Sequence, residues 1–206
     1  MLEKEYAFLE YLNELQNTKR YMEYDPIFSE SVSEHSYKLI AMADKLFDLL
    51  ELDLDYRKCI RLAMYHDLCE IGLKEDLDAY MVLNDDNLQI LKKEQENQNI
   101  LEISKTYEFK DIYDIFIEYE KQVTLESKFI NALDKIEPKL RCLKVQNVKL
   151  RHPDFIATHA DDSVRNFPKL LPFYKVVKEK MRERFEQSGF KWKKEYDYIF
   201  EENSMN

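Results

Sequence analysis

Glycine is nearly missing from this chain of 206 residues: Gly72 and Gly189 are the only two. So little glycine excludes the loops that cradle phosphates in Walker-type and dinucleotide-binding proteins, and it leaves few tight hairpin turns. Cysteine is also sparse. Cys59, Cys69 and Cys142 are odd in number, far apart and without a CxxC pair. That argues against a disulfide framework or a structural zinc knuckle and leaves reduced thiols acting as small core residues. No apolar run approaches the roughly 20 residues that cross a bilayer. The amino terminus MLEKEYAFLEYL is acidic and has no small-residue cleavage site. The expectation is a cytoplasmic protein with no membrane partner.

Positive charge is in deficit as well. The formal net charge is −10, which discourages binding to nucleic acid polymers and acidic membranes. The deficit is uneven, because residues 1–138 hold 16 Lys and Arg against 31 Asp and Glu, whereas 139–194 hold 15 against 6. The basic stretch reads as a solvated helix face paired with the acidic half rather than as a polyanion groove.

What the chain has in quantity is helical periodicity. Residues 2–16 form a first amphipathic segment, and 19–30, containing Pro26, read as a loop. The next helix, 31–52, opens with Ser31 and Glu34 in capping-box spacing and carries Leu39, Ile40, Ala43, Leu46, Phe47 and Leu50 on one face. A third helix is expected over 55–70, with Gly72 as its stop. Further helices are expected over 74–82, 84–104, 109–121 and 124–148, and a basic one near 172–187; residues 190–200 alternate enough to be helix or strand. The fold class is all-α. Residues 1–150 read as one domain and 151–206 as a partly basic helical extension packed on it.

The third helix poses a question. In MYHDLCEIG (64–72) the apolar stripe of Cys59, Ile60, Ala63 and Met64 continues into His66, Asp67 and Glu70. An ionisable group on a core-facing stripe needs a partner, a metal ion or water in a cleft. His35 extends the stripe of its own helix one turn before Leu39, and in FINALDKIEPKL (129–140) Asp134 lies one turn after Ile130. His35, His66, Asp67 and Asp134 together make a mixed nitrogen and oxygen donor set. It suits one divalent ion, Mn, Co, Fe, Ni or Mg, with positions left open for water or substrate. Glu70, one turn beyond, faces the same cavity and is placed to accept a proton from an attacking water.

These residues resemble a known family. VSEHS (32–36), AMYHDLCE (63–70) and ALDKIEP (132–138), in that order, are similar to the three motifs of the HD-domain metal-dependent phosphohydrolases, and more closely to their 5′-deoxynucleotidase branch. The resemblance covers roughly residues 5 to 150. It implies an all-α HD fold, usually homodimeric, that removes phosphate from 2′-deoxynucleoside 5′-monophosphates. Carried over, it implies metal ligation by His35, His66, Asp67 and Asp134, acid/base action by Glu70, and a phosphate clamp at Arg20, fifteen residues before His35. A guanidinium fork matches two phosphate oxygens at once. Two departures bear on specificity. Tyr21 stands where the branch usually has a tryptophan that helps reject a 2′-hydroxyl, and EIGLKEDLDAY (70–80) stands in place of its Gly-Asp pair, leaving open whether Glu75 or Asp76 replaces that aspartate.

Plainer readings exist for each feature. His66 and Asp67 alone could be satisfied core or capping residues, and Glu70 a partner that fixes a histidine tautomer. His152 and His159 read as loop residues. Phe167, Phe173, Tyr174, Phe185, Phe190, Trp192, Tyr196 and Phe200 read as packing for the extension or a dimer surface. The alternative function is a non-catalytic or regulatory HD module that binds a nucleotide or protein partner. A guanosine-tetraphosphate hydrolase is a weaker third reading, since those enzymes resemble HDxxED and here Ile71 follows Glu70.

Overall fold

The structure is a computed structural model that describes residues 2–21, 29–73, 79–144 and 151–202. Among these residues it is helical apart from one two-stranded ribbon. Helix α1 (Leu2–Tyr11) runs into a 3-10 turn, Leu12–Gln16. Strands β1 (Lys19–Arg20) and β2 (Glu30–Ser31) pair antiparallel, Lys19 opposite Ser31 and Arg20 opposite Glu30. All but Ser31 lie inside the stretch 19–30 read from sequence as a loop, because two residues of pairing leave no alternation to read. The ribbon fixes Arg20 beside the start of α2 (Val32–Leu49). Ser31 caps that helix: its Oγ accepts from Glu34 N at 3.2 Å, and Glu34 Oε2 accepts from Ser31 N at 2.7 Å. The expected capping box is thus formed.

The remaining helices are α3 (Tyr56–Tyr65), α4 (Ala79–Leu83), α5 (Asp86–Thr106), α6 (Lys110–Lys121) and α7 (Leu125–Lys144). After them come α8 (Pro153–Thr158), α9 (Asp161–Asn166), α10 (Leu171–Gln187) and α11 (Tyr198–Glu202). Between His152 and His159, both read as loop residues, the chain forms α8, with Pro153 at its start where its missing N–H costs nothing. The ambiguous segment 190–200 resolves into a 3-10 turn, Lys194–Asp197, leading into α11. Residues 74–78, including Glu75 and Asp76, lie outside the described residues.

Two apolar clusters organise the packing. In the larger, Leu39 and Leu46 of α2, Leu62 of α3 and Phe129 and Leu133 of α7 are joined by Val164, Tyr174, Met181 and Phe185 from beyond residue 150. The smaller holds Phe8 of α1, Leu68, Cys69 and Ile71, with Ile100 of α5 and Phe116 of α6. All three cysteines are free and buried, as expected. Both glycines have positive φ, +80° at Gly72 and +78° at Gly189, conformations that penalise any Cβ. Among the described residues no helix is long and apolar enough to cross a membrane.

The expected helix over 55–70 is corrected. It ends at Tyr65, and the chain turns through His66 and Asp67 (φ −99°, ψ 12°) into a 3-10 turn, Leu68–Glu70. Leu62 and Ala63 belong to the larger cluster, while Leu68 and Cys69 belong to the smaller. The turn hands the chain from one cluster to the other. Carbonyls released by the turn are caught by Asn99 of α5, whose Nδ2 donates to Cys69 O at 2.6 Å and Ile71 O at 2.7 Å.

Candidate metal centre

His35 lies in the first turn of α2, His66 follows the last turn of α3, and Asp134 is in mid-α7. Helix α2 packs on α3 and α7, and α3 packs on α7, so the three side chains converge. His35 Nε2 is 3.3 Å from His66 Nε2 and 3.0 Å from Asp134 Oδ1. Asp67 Oδ2 is 3.1 Å from His66 Nε2 and 3.7 Å from His35 Nε2. His35, His66 and Asp134 each offer one donor atom, all within 4.8 Å of one another. The four residues singled out in the sequence are therefore brought to one point.

The outer atoms of these side chains are already engaged. His35 Nδ1 faces Glu137 Oε2 at 3.0 Å and His66 Nδ1 faces Ala63 O at 3.1 Å. Both contacts favour the Nδ1–H tautomer, so the Nε2 lone pairs point at each other and at carboxylate oxygens. Asp134 Oδ2 accepts from Tyr119 Oη and Lys135 Nζ, each at 2.8 Å, which leaves Oδ1 for the centre. Lone pairs meeting lone pairs repel unless a cation lies between them. The donor set fits a divalent ion of the first transition row or Mg. Without an ion, the negative charge of the carboxylates draws a proton to the same place. Burial opposes protonation of His66, yet Asp67 and Asp134 outweigh it and push its pKa up to about 10. Burial likewise opposes ionisation of Asp67, and the charges of His66 and Arg20 overcome it, holding the carboxyl well below the usual range.

Glu30, His35 and Glu137 form a second group with metal-like spacing. Its carboxylates are instead served by cations of the protein: Lys38 pairs with Glu30 and, at 2.9 Å, with Glu137, and Arg141 reaches Glu30 Oε2 at 3.0 Å. That group orients His35 from behind.

A cavity of about 330 Å³ opens beside the centre, and Arg20, Tyr21, His66, Asp67, Glu70 and Asp134 all line it. Arg20 hydrogen-bonds Asp67 and lies 3.8 Å from Glu70 Oε2. Its guanidinium carbon sits 5.7 Å from the ring centroid of Tyr21, a residue held at φ +62°, where non-glycine residues are strained. Glu70 belongs to the 3-10 turn rather than to a helix face. Burial and the neighbouring Asp67 charge push its pKa up to about 7.

The cavity also recruits residues that sequence reading passed over. Lys92 and Glu96 of α5 pair at 2.9 Å, and Lys92 Nζ is 3.9 Å from Glu70. They stand in the unbroken polar run KKEQENQN (92–99), where nothing in the sequence sets one face apart. Tyr80, Phe155 and His159 also line the cavity. His159 was expected in a loop; it caps α8 and lines the cavity, its pKa pushed down to about 3 by burial and by Lys135 and Lys139.

Comparison with known proteins places this arrangement. The family model described as HD domain matches residues 12–170. The 5′-deoxynucleotidase HDDC2 of Xenopus laevis is 30% identical over 122 residues, 59% of this chain and 58% of that protein. Human 5′-deoxynucleotidase HDDC2 is 28% identical over 120 residues, 58% of this chain and 56% of that one. The chain therefore covers less than two thirds of the length of these relatives. Among solved structures, a protein from Magnetospirillum magnetotacticum described as a predicted metal-dependent phosphohydrolase superposes with a TM-score of 0.70 at 16% identity, covering 93% of this chain and 98% of that one. A conserved hypothetical protein from Pyrococcus furiosus gives 0.63 at 19% identity, over 85% and 98% of the two chains. At such identities the structures share the fold. With a family model spanning both histidines, Asp67 and Asp134, this chain belongs to the HD domain family.

Proposed function

We propose that this protein is a metal-dependent phosphohydrolase that removes the phosphate from (deoxy)nucleoside 5′-monophosphates. The observation that carries the reading is the shared cavity: converging histidine and carboxylate donors, a guanidinium and a proton-accepting glutamate line one space. A purely structural ion requires neither Arg20 nor Glu70, and this favours the enzyme over a regulatory HD module. The relatives named 5′-deoxynucleotidase support the same substrate class.

In this reading His35, His66, Asp67 and Asp134 hold one divalent ion. Such an ion acidifies water and withdraws charge from a phosphoryl oxygen. Glu70 takes the proton of the attacking water, a task suited to a carboxyl near 7. Arg20 grips the phosphate with its forked donors and exchanges part of its pairing with Asp67 to do so. Tyr21, beside Arg20, meets the sugar. Residues 151–206 act as part of the same folding unit, and the protein works as a cytoplasmic homodimer without nucleic acid polymers.

The test is phosphate release from deoxy and ribo 5′-monophosphates after loading metal-free protein with Mn, Co or Mg. Release that depends on the ion is expected. Protein that holds one equivalent of metal and releases no phosphate would instead be the regulatory module.

A further inference from the structure

The cavity has a wall that neither ion binding nor proton transfer uses. Phe155 on α8 and His159 at its end stand one turn apart, with ring centroids at 4.4 Å. Tyr80 of α4 approaches from the opposite side, edge-on to Phe155 at 5.7 Å and 78°. The Tyr80 ring is also stacked on His152 at 3.7 Å and 11°, which ties α4 to the start of α8. Val82, Leu83 and Ile156 line the same cavity.

This wall is more than ordinary packing. Phe155 and Tyr80 belong to neither apolar cluster, and both are only half-buried, with the cavity beside them. One cavity is therefore lined both by Arg20 and the donors His66, Asp67 and Asp134 and by rings and aliphatic carbons. At about 330 Å³ it has the size of a site for one small molecule. A phosphomonoester held by its phosphate near Arg20 sends its alcohol portion toward the rings.

We propose that Phe155, His159 and Tyr80 form a stacking subsite for the planar heteroaromatic base of the phosphomonoester. This rests on the phosphohydrolase reading above and adds to it the part of the substrate that residues beyond 150 recognise. Flat rings read the π-face that every base shares, so the subsite selects for a base without selecting one base.

The experiment compares a deoxynucleoside 5′-monophosphate with 2-deoxyribose 5-phosphate, which has the same sugar and phosphoester and no base. Full-length Co-loaded protein is used, as wild type, Phe155→Ala, His159→Ala and Phe155→Trp. The alanine variants are expected to raise KM for the nucleotide about tenfold relative to the baseless compound, with Phe155→Trp staying near wild type. Calorimetric titration with the nucleotide in a Glu70→Gln background, where turnover is suppressed, reads the same loss as binding. Equal shifts for both compounds, or no shift, would overturn the subsite. If wild type turns over neither compound the phosphohydrolase reading fails, and calorimetry still decides: nucleotide binding lost in the alanine variants supports the subsite, and binding that is absent or unaltered overturns it. Should Phe155→Ala fail to melt cooperatively, His159→Ala and Phe155→Trp carry the comparison.

Discussion

Glu137 Oε2 lies 3.0 Å from Nδ1 of His35, so one carboxylate of α7 fixes the ring that Asp134, one turn earlier on the same helix, meets at Nε2. Glu137 is itself held by Lys38 at 2.9 Å, and only 1% of it is exposed. The lone pair offered at His35 Nε2 depends on this pairing. Glu137→Gln should keep the fold and weaken metal affinity by about 10- to 100-fold, the range typical for partners that orient a ligating histidine. Competition for Co against a chelator of known affinity measures it, and unchanged affinity would remove Glu137 from this role.

In the proposed reaction Glu70 should set the pH profile. Burial and the Asp67 charge place its carboxyl near 7, so its ionised fraction grows as pH rises through that value. A reaction that uses Glu70 as base should accelerate with pH across roughly 6 to 8 and then level off. Glu70→Gln should retain the ion while turnover falls by about 100-fold or more. Phosphate-release kinetics with parallel metal analysis separate the two. A flat profile in wild type would count against the assignment.

The candidate metal donors are legible in sequence because a charged or imidazole side chain on an otherwise apolar stripe needs a reason. His35 and Asp134 stand on helices whose expected and observed registers agree. His66, Asp67 and Glu70 were found from a helix that does not extend that far. No glycine or proline marks the turn at His66, and only the division of Leu62 from Leu68 between two clusters explains it. Glu137 had a readable signal, being three residues after Asp134 on α7. Phe155 and His159 had none: two aromatic residues in a short segment after Pro153 look the same whether they face a core, a cavity or solvent. The two-residue strands and Asn99 were invisible for a similar reason, since their roles exist only in tertiary contact.

Lys139 makes a stability prediction with a definite sign. It is 3% exposed, donates to Ile156 O, and burial lowers its pKa from 10.5 to about 8 despite the opposing Asp161 charge. Between those values the unfolded chain binds more protons than the folded one, so this residue makes stability rise with pH across the window and withholds that gain below it. Lys139→Met removes the dependence. The variant's urea midpoint minus that of wild type should decrease from pH 7.5 to pH 10. A constant difference would show that Lys139 is not desolvated in the folded protein.

The segment beyond residue 150 should be inseparable from the rest. Tyr174, Met181 and Phe185 lie in the same apolar cluster as Leu39, Leu62 and Phe129, each at most 1% exposed. Beside them Asp161 accepts from Tyr174 Oη at 2.7 Å and pairs with Lys178 at 2.8 Å, while Lys178 also reaches the carbonyl of Tyr196. Removing one member of such a buried pair costs about 3–5 kcal/mol, because the remaining charge stays buried without compensation. Asp161→Ala should lower the unfolding free energy by that amount in denaturant titration. A chain ending at residue 150 exposes the whole inner face of α7 that α9 and α10 cover, and it should show no cooperative unfolding transition. If that truncated chain melts cooperatively and still binds one metal equivalent, residues 1–150 are a self-sufficient domain and the shared core is an accessory to it.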